Sequence, residues 1–451
     1  MPSGEFAPSS ASTGTGEHRG DHGQTPVQQP SLGREHGRTH AWFAGVDWAS
    51  ETHHVCVVGG DGSKREERTF RHGGAGLAEM ADWIVVQCGG SAPDIPVAIE
   101  VPHGPVVESL MDRGFAVYSI NPKQLDRFRD RFSPAGAKDD SLDARVLADA
   151  LRTDLHHFRR IDPVDPVVIE LRAWSRIFEE LTRDRTRLSN RVRDQLWRYY
   201  PQMLEAVGSV VEPWFLDLWA KAPTPAKARR IQRRTLESLL KRHRIRRITV
   251  DQLFEILRAP AIAVAPGTTE AAVAHIKSAS ERLRLVQRQL AAAKREIARL
   301  IDALDDSEDS GSDQPGGQRD VTVLSSLPGV GQTVLATLLA EAPQALARRD
   351  YKALRCLTGV APVTRQSGKY KLVMRRVAAH ARLRDAVYHW ARVAVQHDPV
   401  SKAKYAALRG RGHGHARALR SVADRLLAVA CAMLRTQTCY RPPRPAENHA
   451  A

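Results

Sequence analysis

The sequence of 451 residues predicts an N-terminal α/β domain followed by a mostly helical remainder. Two patterns predict this. Between residues 42 and 158, three short β-like runs are followed by alternating helical and extended segments. From residue 164 onward, apolar residues recur at helical spacing, with proline-containing breaks at residues 222–225 and 259–267. At roughly 100–200 residues per domain, the length allows two to four domains.

The N-terminal domain is predicted over residues 42–158, after a polar, aperiodic tail at residues 1–41 that we expect to be disordered. Glycines at residues 59–62 predict a turn that makes the second and third strands antiparallel. Three strands followed by alternating helices and strands is the element order of the ribonuclease H-like fold, although it is also compatible with other mixed α/β topologies. The predicted elements are strands at 43–49, 54–58 and 65–70, a helix at 77–87, a strand at 95–100, a helix after Gly104, a strand at 116–120, and helices at 122–131 and 139–152.

The helical remainder divides at an acidic, Gly/Ser-rich linker at residues 305–320. Before it, residues 159–304 predict a helical arm, whose last part carries four apolar heptads typical of a coiled coil. That helix pairs either with another chain or with residues 168–199 of its own chain, and the pattern favours neither. After the linker, residues 321–440 predict a helical domain with a loop-rich stretch at 359–370, and residues 441–451 return to polar disorder. In the last part of the predicted arm, one of the two apolar heptad rows contains Ile276, Leu283, Leu290, Ile297 and Leu304, and the other contains Ala279, Val286, Ala293 and Leu300.

The net charge of +16 and the pI of 10.0 favour a polyanionic partner. Arginine makes up 54 of the 67 basic residues, which suits bidentate phosphate contacts but also fits a GC-rich coding bias. The segment from Pro225 to Val250 holds ten Lys/Arg residues against Glu237 alone, whereas a solvated face usually mixes its signs. We therefore predict a nucleic-acid surface there, with these arginines as its candidates: Arg229, Arg230, Arg233 and Arg234.

Five scattered cysteines without a Cys-x-x-Cys pair argue against a disulfide framework and a structural zinc site. No apolar run reaches the ~18 residues that a transmembrane helix needs, and the first residues do not resemble a signal peptide. These features predict a reduced protein of the cytoplasm, associated with the nucleoid if it binds DNA, and without a membrane partner.

Four carboxylates of the N-terminal domain are candidate metal ligands. Asp47 lies in the first predicted strand, where a buried strand favours an apolar residue, and Glu100 ends a later strand. Asp140 and Asp143, three residues apart at the start of a helix, share one helix face. Two Mg²⁺ ions held by shared carboxylates stabilise the attacking and leaving oxygens of a phosphodiester. Each acid alone also fits a helix cap or a solvated charge, but together they favour a metal site.

These acids occur within three motifs: Gly45-Val46-Asp47, Ala98-Ile99-Glu100, and Lys138-Asp139-Asp140-Ser141-Leu142-Asp143-Ala144. The motifs resemble the DEDD signature of insertion-sequence transposases, which have a RuvC-type N-terminal domain. Asp139 departs from the small polar residue that is usual there. The resemblance extends over residues 42 to about 440. It implies a RuvC-like domain and a second transposase domain, Mg²⁺ with Mn²⁺ as an alternative, and guidance by an element-encoded RNA.

Two C-terminal motifs are candidates for DNA contacts. Leu327-Pro328-Gly329-Val330-Gly331 resembles a helix-hairpin-helix, whose backbone amides bind a phosphate, although glycines in an ordinary helix connection fit equally well. The second motif contains Ser367 between Arg365 and Lys369, two cations that could hold a phosphate. A serine next to glycine is most often a turn residue, but the resemblance to the transposase family implies that Ser367 is the nucleophile that attacks DNA.

We therefore predict a transposase or site-specific recombinase that acts on element ends and target DNA as a homo-oligomer, either a dimer or a tetramer. Asp47, Glu100, Asp140 and Asp143 would hold Mg²⁺, and Ser367 would attack. The rival prediction is a RuvC-like nuclease or Holliday-junction resolvase in which water attacks. A non-catalytic scaffold is disfavoured because all four acids are present. The sequence leaves open whether Ser367 acts within its own chain.

Overall fold

The computed structural model describes residues 40–132, 139–307, 320–368 and 370–442. The chain forms two compact units, the first ending at Ile161 and the second beginning at Asp162. The predicted N-terminal domain falls in the first unit, and the predicted arm and C-terminal domain share the second. Residues 1–39, 308–319 and 443–451, which cover most of the two predicted tails and the linker, lie outside the described residues.

A six-stranded mixed sheet forms the centre of the first unit. Its strands are β1 (Trp42–Trp48), β2 (Thr52–Gly59), β3 (Lys64–Arg71), β4 (Pro96–Ile99), β5 (Ala116–Ser119) and β6 (Arg159–Arg160). Their order is β3-β2-β1-β4-β5-β6, with the first three strands antiparallel as predicted. β4 runs parallel to β1 and to β5, and β6 is antiparallel to β5. The mixed α/β class is confirmed, while the ribonuclease H-like assignment stays a prediction.

Helices cover both faces of this sheet. They are α1 (Gly74–Cys88), α2 (Pro105–Asp112), α3 (Pro122–Arg129) and α4 (Asp140–Asp154). On one face, Ala44 and Val46 of β1 pack in a core with α1 and α2. On the other face, Phe43 and Ala98 pack with α3 and α4. The alternation of side chains along β1 therefore assigns its odd-numbered residues to the α4 face.

Two long helices dominate the arm. The helices of this region are α5 (Pro166–Tyr199), α6 (Gln202–Glu205), α7 (Pro213–Lys221), α8 (Pro225–Arg229), α9 (Arg233–Arg242), α10 (Val250–Arg258) and α11 (Thr268–Ser307). The start of α5 packs in one core with the end of α11, and the end of α5 packs in another with the beginning of α11. The two helices are therefore antiparallel, and every residue of both heptad rows is buried. The partner of α11 is thus α5 of the same chain; a supercoil stays a prediction.

In the described residues of the rest of the second unit, the regular elements are helices and one β-hairpin. Its helices are α12 (Asp320–Ser325), α13 (Gln332–Glu341), α14 (Pro343–Ala347), α15 (Tyr351–Leu357), α16 (Ala381–His397), α17 (Pro399–Gly410) and α18 (His415–Thr436). The hairpin consists of β7 (Val363–Ser367) and β8 (Tyr370–Met374), so the loop-rich prediction is wrong for most of residues 363–370. Nearly every residue of the hairpin is exposed, and without a buried face no apolar alternation marks a strand.

Candidate active site

Asp47 and Glu100 occupy neighbouring positions at the carboxyl ends of two parallel strands. β1 and β4 pair in register through Val46 and Ile99, the residues directly before them. Asp47 shares the sheet face of Gly45, the face covered by α4, and Glu100 directly follows the last residue of β4. Both carboxylates are half-buried. Such a strand edge is where open α/β sheets form ligand sites.

Helix α4 lies closer to β1 than a side chain would allow, because Gly45 has none. A Cβ on Gly45 would lie 2.1 Å from the carbonyl oxygen of Ala144 and 2.9 Å from the Cβ of Leu147. At the far end of α4, the side chain of Arg152 donates a hydrogen bond to the carbonyl of Gly60. The amide of Gly60 in turn donates to the carbonyl of Ala41, the residue directly before β1. α4 is therefore antiparallel to β1, and its start faces the strand end that carries Asp47.

The start of α4 carries the other two acids in different environments. The side chain of Asp139 accepts from the amide of Ser141 and caps the helix, in place of the small polar residue of the family motif. Asp140 is exposed, whereas Asp143, one turn later, is only 3% exposed. Lys138 lies outside the described residues. In the first unit, Asp47 and Glu100 thus lie at the carboxyl ends of the central strands β1 and β4, and Asp140 and Asp143 lie at the start of α4, where Asp140 is exposed.

The sequence did not identify Arg129 as a partner of this site. Its Nε donates to Oδ1 of Asp143 at 2.6 Å, and its Nη1 donates to Asp126 at 2.8 Å. Burial would by itself lower the pKa of Arg129, but the bonds and charges of Asp143 and Asp126 outweigh it and raise that pKa. Arg129 therefore stays charged and fixes the Asp143 carboxylate. A basic residue at the end of a short helix gave no sequence signal for this role.

His54 and Glu67 also reach this face of the sheet. His54 lies opposite Asp47 in the β1–β2 register, and its Nδ1 bonds Oγ1 of Thr69 at 2.9 Å. Oε2 of Glu67 lies 3.7 Å from Nε2 of His54 and accepts from the hydroxyl of Ser141 at 3.0 Å. A hydrogen bond from Lys64 contributes most to a lowered pKa of Glu67, although burial opposes it. Glu67 therefore adds a carboxylate beside the predicted set.

The four predicted acids suit a hard divalent cation, because carboxylate oxygens are the ligands that Mg²⁺ prefers. No three of them have oxygens that all lie within 4.8 Å of one another. Within the part of the chain that the structure describes, the group meeting that distance is Asp154, His156 and His157, at the other end of α4. The donor chemistry thus fits the predicted ion, and Arg129 holds one of the four acids.

Ser367 is the last residue of β7 and lies next to the hairpin turn. Gly368 follows it with a φ of 54°, a left-handed conformation that favours glycine in a tight turn. Ser367 and Arg365 are exposed and share one face of the strand, since they are two residues apart. Lys369 lies outside the described residues. Ser367 belongs to the second unit and the four acids to the first, so the two halves of the predicted site remain separate observations.

The basic segment of the arm, residues 225–250, contains both arginines that pair with a carboxylate of the described residues and arginines that do not, so its positive charge is less uniform than the sequence predicted. Arg233 approaches Glu237 at 3.6 Å and also pairs with Asp251, which follows the segment. Arg229, Arg230 and Arg234 are exposed, and no carboxylate of the described residues lies within 4.0 Å of them. These three arginines keep an uncompensated charge.

The glycines of the helix-hairpin-helix motif differ in their surroundings. Gly329 has a φ of 83°, and a Cβ there would lie 2.8 Å from the amide nitrogen of Ala394 in α16. Helix packing therefore explains Gly329 without a ligand. A Cβ on Gly331 would meet nothing within 4 Å, so packing does not require glycine there. Phosphate binding at this turn stays a prediction.

Two family profiles match the chain in the regions just described. Residues 44–201 match a transposase family of the DEDD IS110 type, and residues 321–406 match the family described as transposase IS116/IS110/IS902. The first match contains all four predicted acids and Arg129, and the second contains Ser367.

Individual proteins agree with these profiles. The chain is 63% identical over 206 residues to "Putative transposase y4uE" of Sinorhizobium fredii, covering 46% of this chain and 57% of that protein. It is 32% identical over 410 residues to "Mini-circle putative transposase for IS117" of Streptomyces coelicolor, covering 89% of this chain and 96% of that protein. An uncharacterised protein of insertion element IS110 from the same organism is 27% identical, with 90% and 96% covered.

Proposed function

The chain belongs to the IS110 family of DEDD transposases, and from this we propose that it cuts and rejoins DNA strands at the ends of an insertion sequence. The observation that carries the proposal is the pairing of β1 with β4, which sets Asp47 beside Glu100 under the start of α4. An exposed hydroxyl on a hairpin next to Arg365 supplies a candidate nucleophile. We propose that the two halves act together on one phosphodiester.

A divalent cation, Mg²⁺ or Mn²⁺, would be held by Asp47, Glu100, Asp140 and Asp143, and would supply charge stabilisation for the attacking and leaving oxygens. The donor set supports this role because all four candidates are carboxylates, two at the carboxyl ends of β1 and β4 and two at the start of α4. Arg129 orients Asp143 through its 2.6 Å bond. In this proposal Arg129 is a positioning residue that touches no substrate.

In the proposed reaction, Oγ of Ser367 attacks the phosphorus of a DNA phosphodiester. The bond from Oγ to phosphorus forms, the bond to one sugar oxygen breaks, and the hydroxyl proton ends on the departing sugar hydroxyl. A hydroxyl of the joining strand then attacks the same phosphorus, the bond from phosphorus to Oγ of Ser367 breaks, and the proton of that hydroxyl ends on Oγ. Because each step exchanges one phosphodiester for another, the exchange needs no ATP. The exposure of Arg365 beside Ser367 suits a contact with the phosphate oxygens.

An element-encoded guide RNA is part of this proposal. The uncompensated charges of Arg229, Arg230 and Arg234 support a nucleic-acid contact on the arm, because each can contact a backbone phosphate. RNA backbone contacts of this kind read shape and charge more than sequence. Homo-oligomer formation is likewise proposed, since it would let Ser367 of one copy serve the acids of another.

The experiment that tests the nucleophile is a search for a covalent protein–DNA adduct. Full-length protein is incubated with element-end DNA and Mg²⁺, denatured, and examined for DNA that stays attached to protein. We expect an adduct in the parent, and its loss together with strand exchange in Ser367→Ala. Ser278→Ala, at an exposed position of α11, is the control for a serine in the same unit. Full cleavage by Ser367→Ala, with no adduct in the parent, would favour the hydrolytic resolvase instead.

A further inference from the structure

A strongly cationic cavity lies at the base of the β7–β8 hairpin. It has a volume of about 410 Å³, and its walls come from α15, from the residues that flank the hairpin and from α18. A smaller cavity of about 210 Å³ shares part of these walls. The larger cavity has one acidic lining residue, Asp424, against five arginines: Arg355, Arg375, Arg376, Arg417 and Arg420.

The carboxylate of Asp424 is already paired within the wall of the cavity. Asp424 accepts from Nε and Nη2 of Arg355 at 2.7 and 3.0 Å, and from the hydroxyl of Tyr351 at 2.9 Å. This bidentate pair neutralises Arg355 and raises its pKa. No carboxylate of the described residues lies within 4.0 Å of the other four arginines. The cavity therefore keeps four uncompensated positive charges.

These charges are crowded against one another. Burial lowers the pKa of Arg420, and the neighbouring charges of Arg375 and Arg417 lower it further. Nε of Arg376 is buried and has no hydrogen-bond partner among the residues that the structure describes. Like charges at close range and an unpaired buried donor both cost folding free energy. An anion with several acceptor oxygens would relieve both costs.

The backbone fixes two of the arginines in the wall. Gly359 follows α15 with a φ of 70°, and a Cβ on it would lie 2.9 Å from the Cβ of Ala379. The amide of His380 donates to the carbonyl of Leu357 at 2.8 Å. These contacts hold Ala379 and His380 against the end of α15, and the carbonyl oxygen of Arg376 would lie 3.7 Å from the same Cβ. Arg375 and Arg376 thus project from an anchored segment and not from a free loop.

We propose that this cavity binds a backbone phosphate of the DNA strand that Ser367 attacks, an assignment that rests on the proposed function for the identity of that strand. Arginine forks match the paired non-bridging oxygens of a phosphodiester. The hairpin joins the cavity to Ser367, since Pro362, Val373 and Met374 line the cavity and Ser367 ends β7. From Val363 to Ser367 the strand spans about 13 Å, at ~3.3 Å per residue. The bound phosphate would therefore lie several nucleotides from the attacked one.

The test compares Arg420→Gln with Arg411→Gln in the full-length protein. Both remove one positive charge from the C-terminal region, but Arg411 does not line the cavity. A short fluorescent DNA duplex is titrated over a range of salt concentrations. For Arg420→Gln we expect roughly tenfold weaker binding and a salt slope lower by about 0.9, the change expected when one phosphate is no longer neutralised. Arg411→Gln should match the parent.

Stability separates a binding role from a structural one. Removing one of several crowded charges should leave the melting temperature of Arg420→Gln unchanged or higher, while its DNA affinity falls. A lower melting temperature together with unchanged DNA binding would overturn the proposal. If Arg420→Gln does not fold, Arg375→Gln at the exposed rim of the cavity carries the same expectation.

The outcomes also separate this proposal from that of the nucleophile. An unchanged salt slope in Arg420→Gln overturns the phosphate site even if Ser367→Ala loses the adduct. Weaker DNA binding in Arg420→Gln supports the site even if Ser367→Ala still cleaves. Weaker binding of an RNA of the same sequence, with unchanged binding of the DNA duplex, would overturn the DNA assignment and identify RNA as the ligand.

Discussion

Arg129 binds Asp143 through a 2.6 Å hydrogen bond between Nε and Oδ1, with the two side chains only 14% and 4% exposed. This ion pair fixes the orientation of the carboxylate of Asp143. It also means that Asp143 contributes to packing as well as to the predicted metal set. The four acids are therefore unequal as targets for mutation.

Asp47→Asn is the cleaner test of the carboxylate set. It removes a ligand charge from a half-buried position, so we expect DNA cleavage to be lost while the melting temperature changes little. Asp143→Asn should also lose cleavage, but it weakens the bond to Arg129 and should cost on the order of 1–3 kcal/mol of stability. Cleavage assays and urea unfolding measure both effects. Undiminished cleavage by Asp47→Asn would defeat the metal assignment.

Arg129→Gln provides the matched control for that pair. It keeps every carboxylate but loses the ion pair, so its stability should fall by an amount similar to that of Asp143→Asn. If Asp143 acts only through packing, the two variants should also lose cleavage to the same extent. A much larger loss of cleavage in Asp143→Asn would support a ligand role.

The arginines of the arm should contribute unequally to nucleic-acid binding, according to whether a carboxylate pairs with them. Replacing Arg229, Arg230 and Arg234 with Gln should weaken nucleic-acid binding and lower the salt slope by about 0.7–0.9 for each phosphate that is no longer neutralised. Arg233→Gln should change the slope less, because Arg233 is paired with Glu237 and Asp251. Fluorescence titrations over a range of salt concentrations measure this, and equal slopes for all variants would indicate a solvated face.

Gly45→Ala tests the close approach of α4 to β1. The added methyl would lie 2.1 Å from the carbonyl oxygen of Ala144, so α4 must move. We expect a loss of stability of about 1–3 kcal/mol or more, as for an overpacked core, and impaired cleavage as the start of α4 shifts. Gly74→Ala is the control, because a Cβ there meets nothing within 4 Å. In urea unfolding, the free energy of unfolding should fall clearly more in Gly45→Ala than in Gly74→Ala, for which we expect a small change of either sign.

Asp398 should make stability depend on pH in the acid range. Its Oδ2 accepts from the amide and the hydroxyl of Ser401 at 2.9 and 2.6 Å at the start of α17. Burial opposes ionisation, but these bonds outweigh it and lower the pKa of Asp398. With a depressed folded pKa, the stabilisation is present above the unfolded value of ~3.9 and is lost as the pH falls through the folded pKa.

Asp398→Asn keeps a capping oxygen but removes the charge, so it should lower the free energy of unfolding at neutral pH by about 0.3–1 kcal/mol, the range for a negative charge near a helix N-terminus. The difference from the parent should shrink toward pH 3. Asp302→Asn, at an exposed position of α11, is the control and should change little at either pH. A difference that grows as the pH falls would contradict the assignment.

Local patterns in the sequence determined much of this molecule. The segments around β1, β2 and β3 either alternate apolar and polar residues or are continuously apolar, and glycines at 59–62 mark a turn. The three antiparallel strands were therefore predicted correctly. The heptads of α11 likewise predicted a long helix with two buried rows. Asp47, Glu100, Asp140 and Asp143 are predicted as a site because acids in or next to apolar strands, and an i,i+3 pair of acids at a helix start, depart from the surrounding pattern.

Tertiary structure decided what those patterns left open. The heptads could not name their partner, because α5 and a second chain would bury the same apolar rows; the antiparallel packing on α5 decides it. The β7–β8 hairpin escaped prediction since strands that bury neither face carry no apolar period. The Arg129–Asp143 pair and the Arg355–Asp424 pair of the cavity join residues 14 and 69 positions apart. Such contacts depend on how the elements pack, which local sequence propensity does not predict.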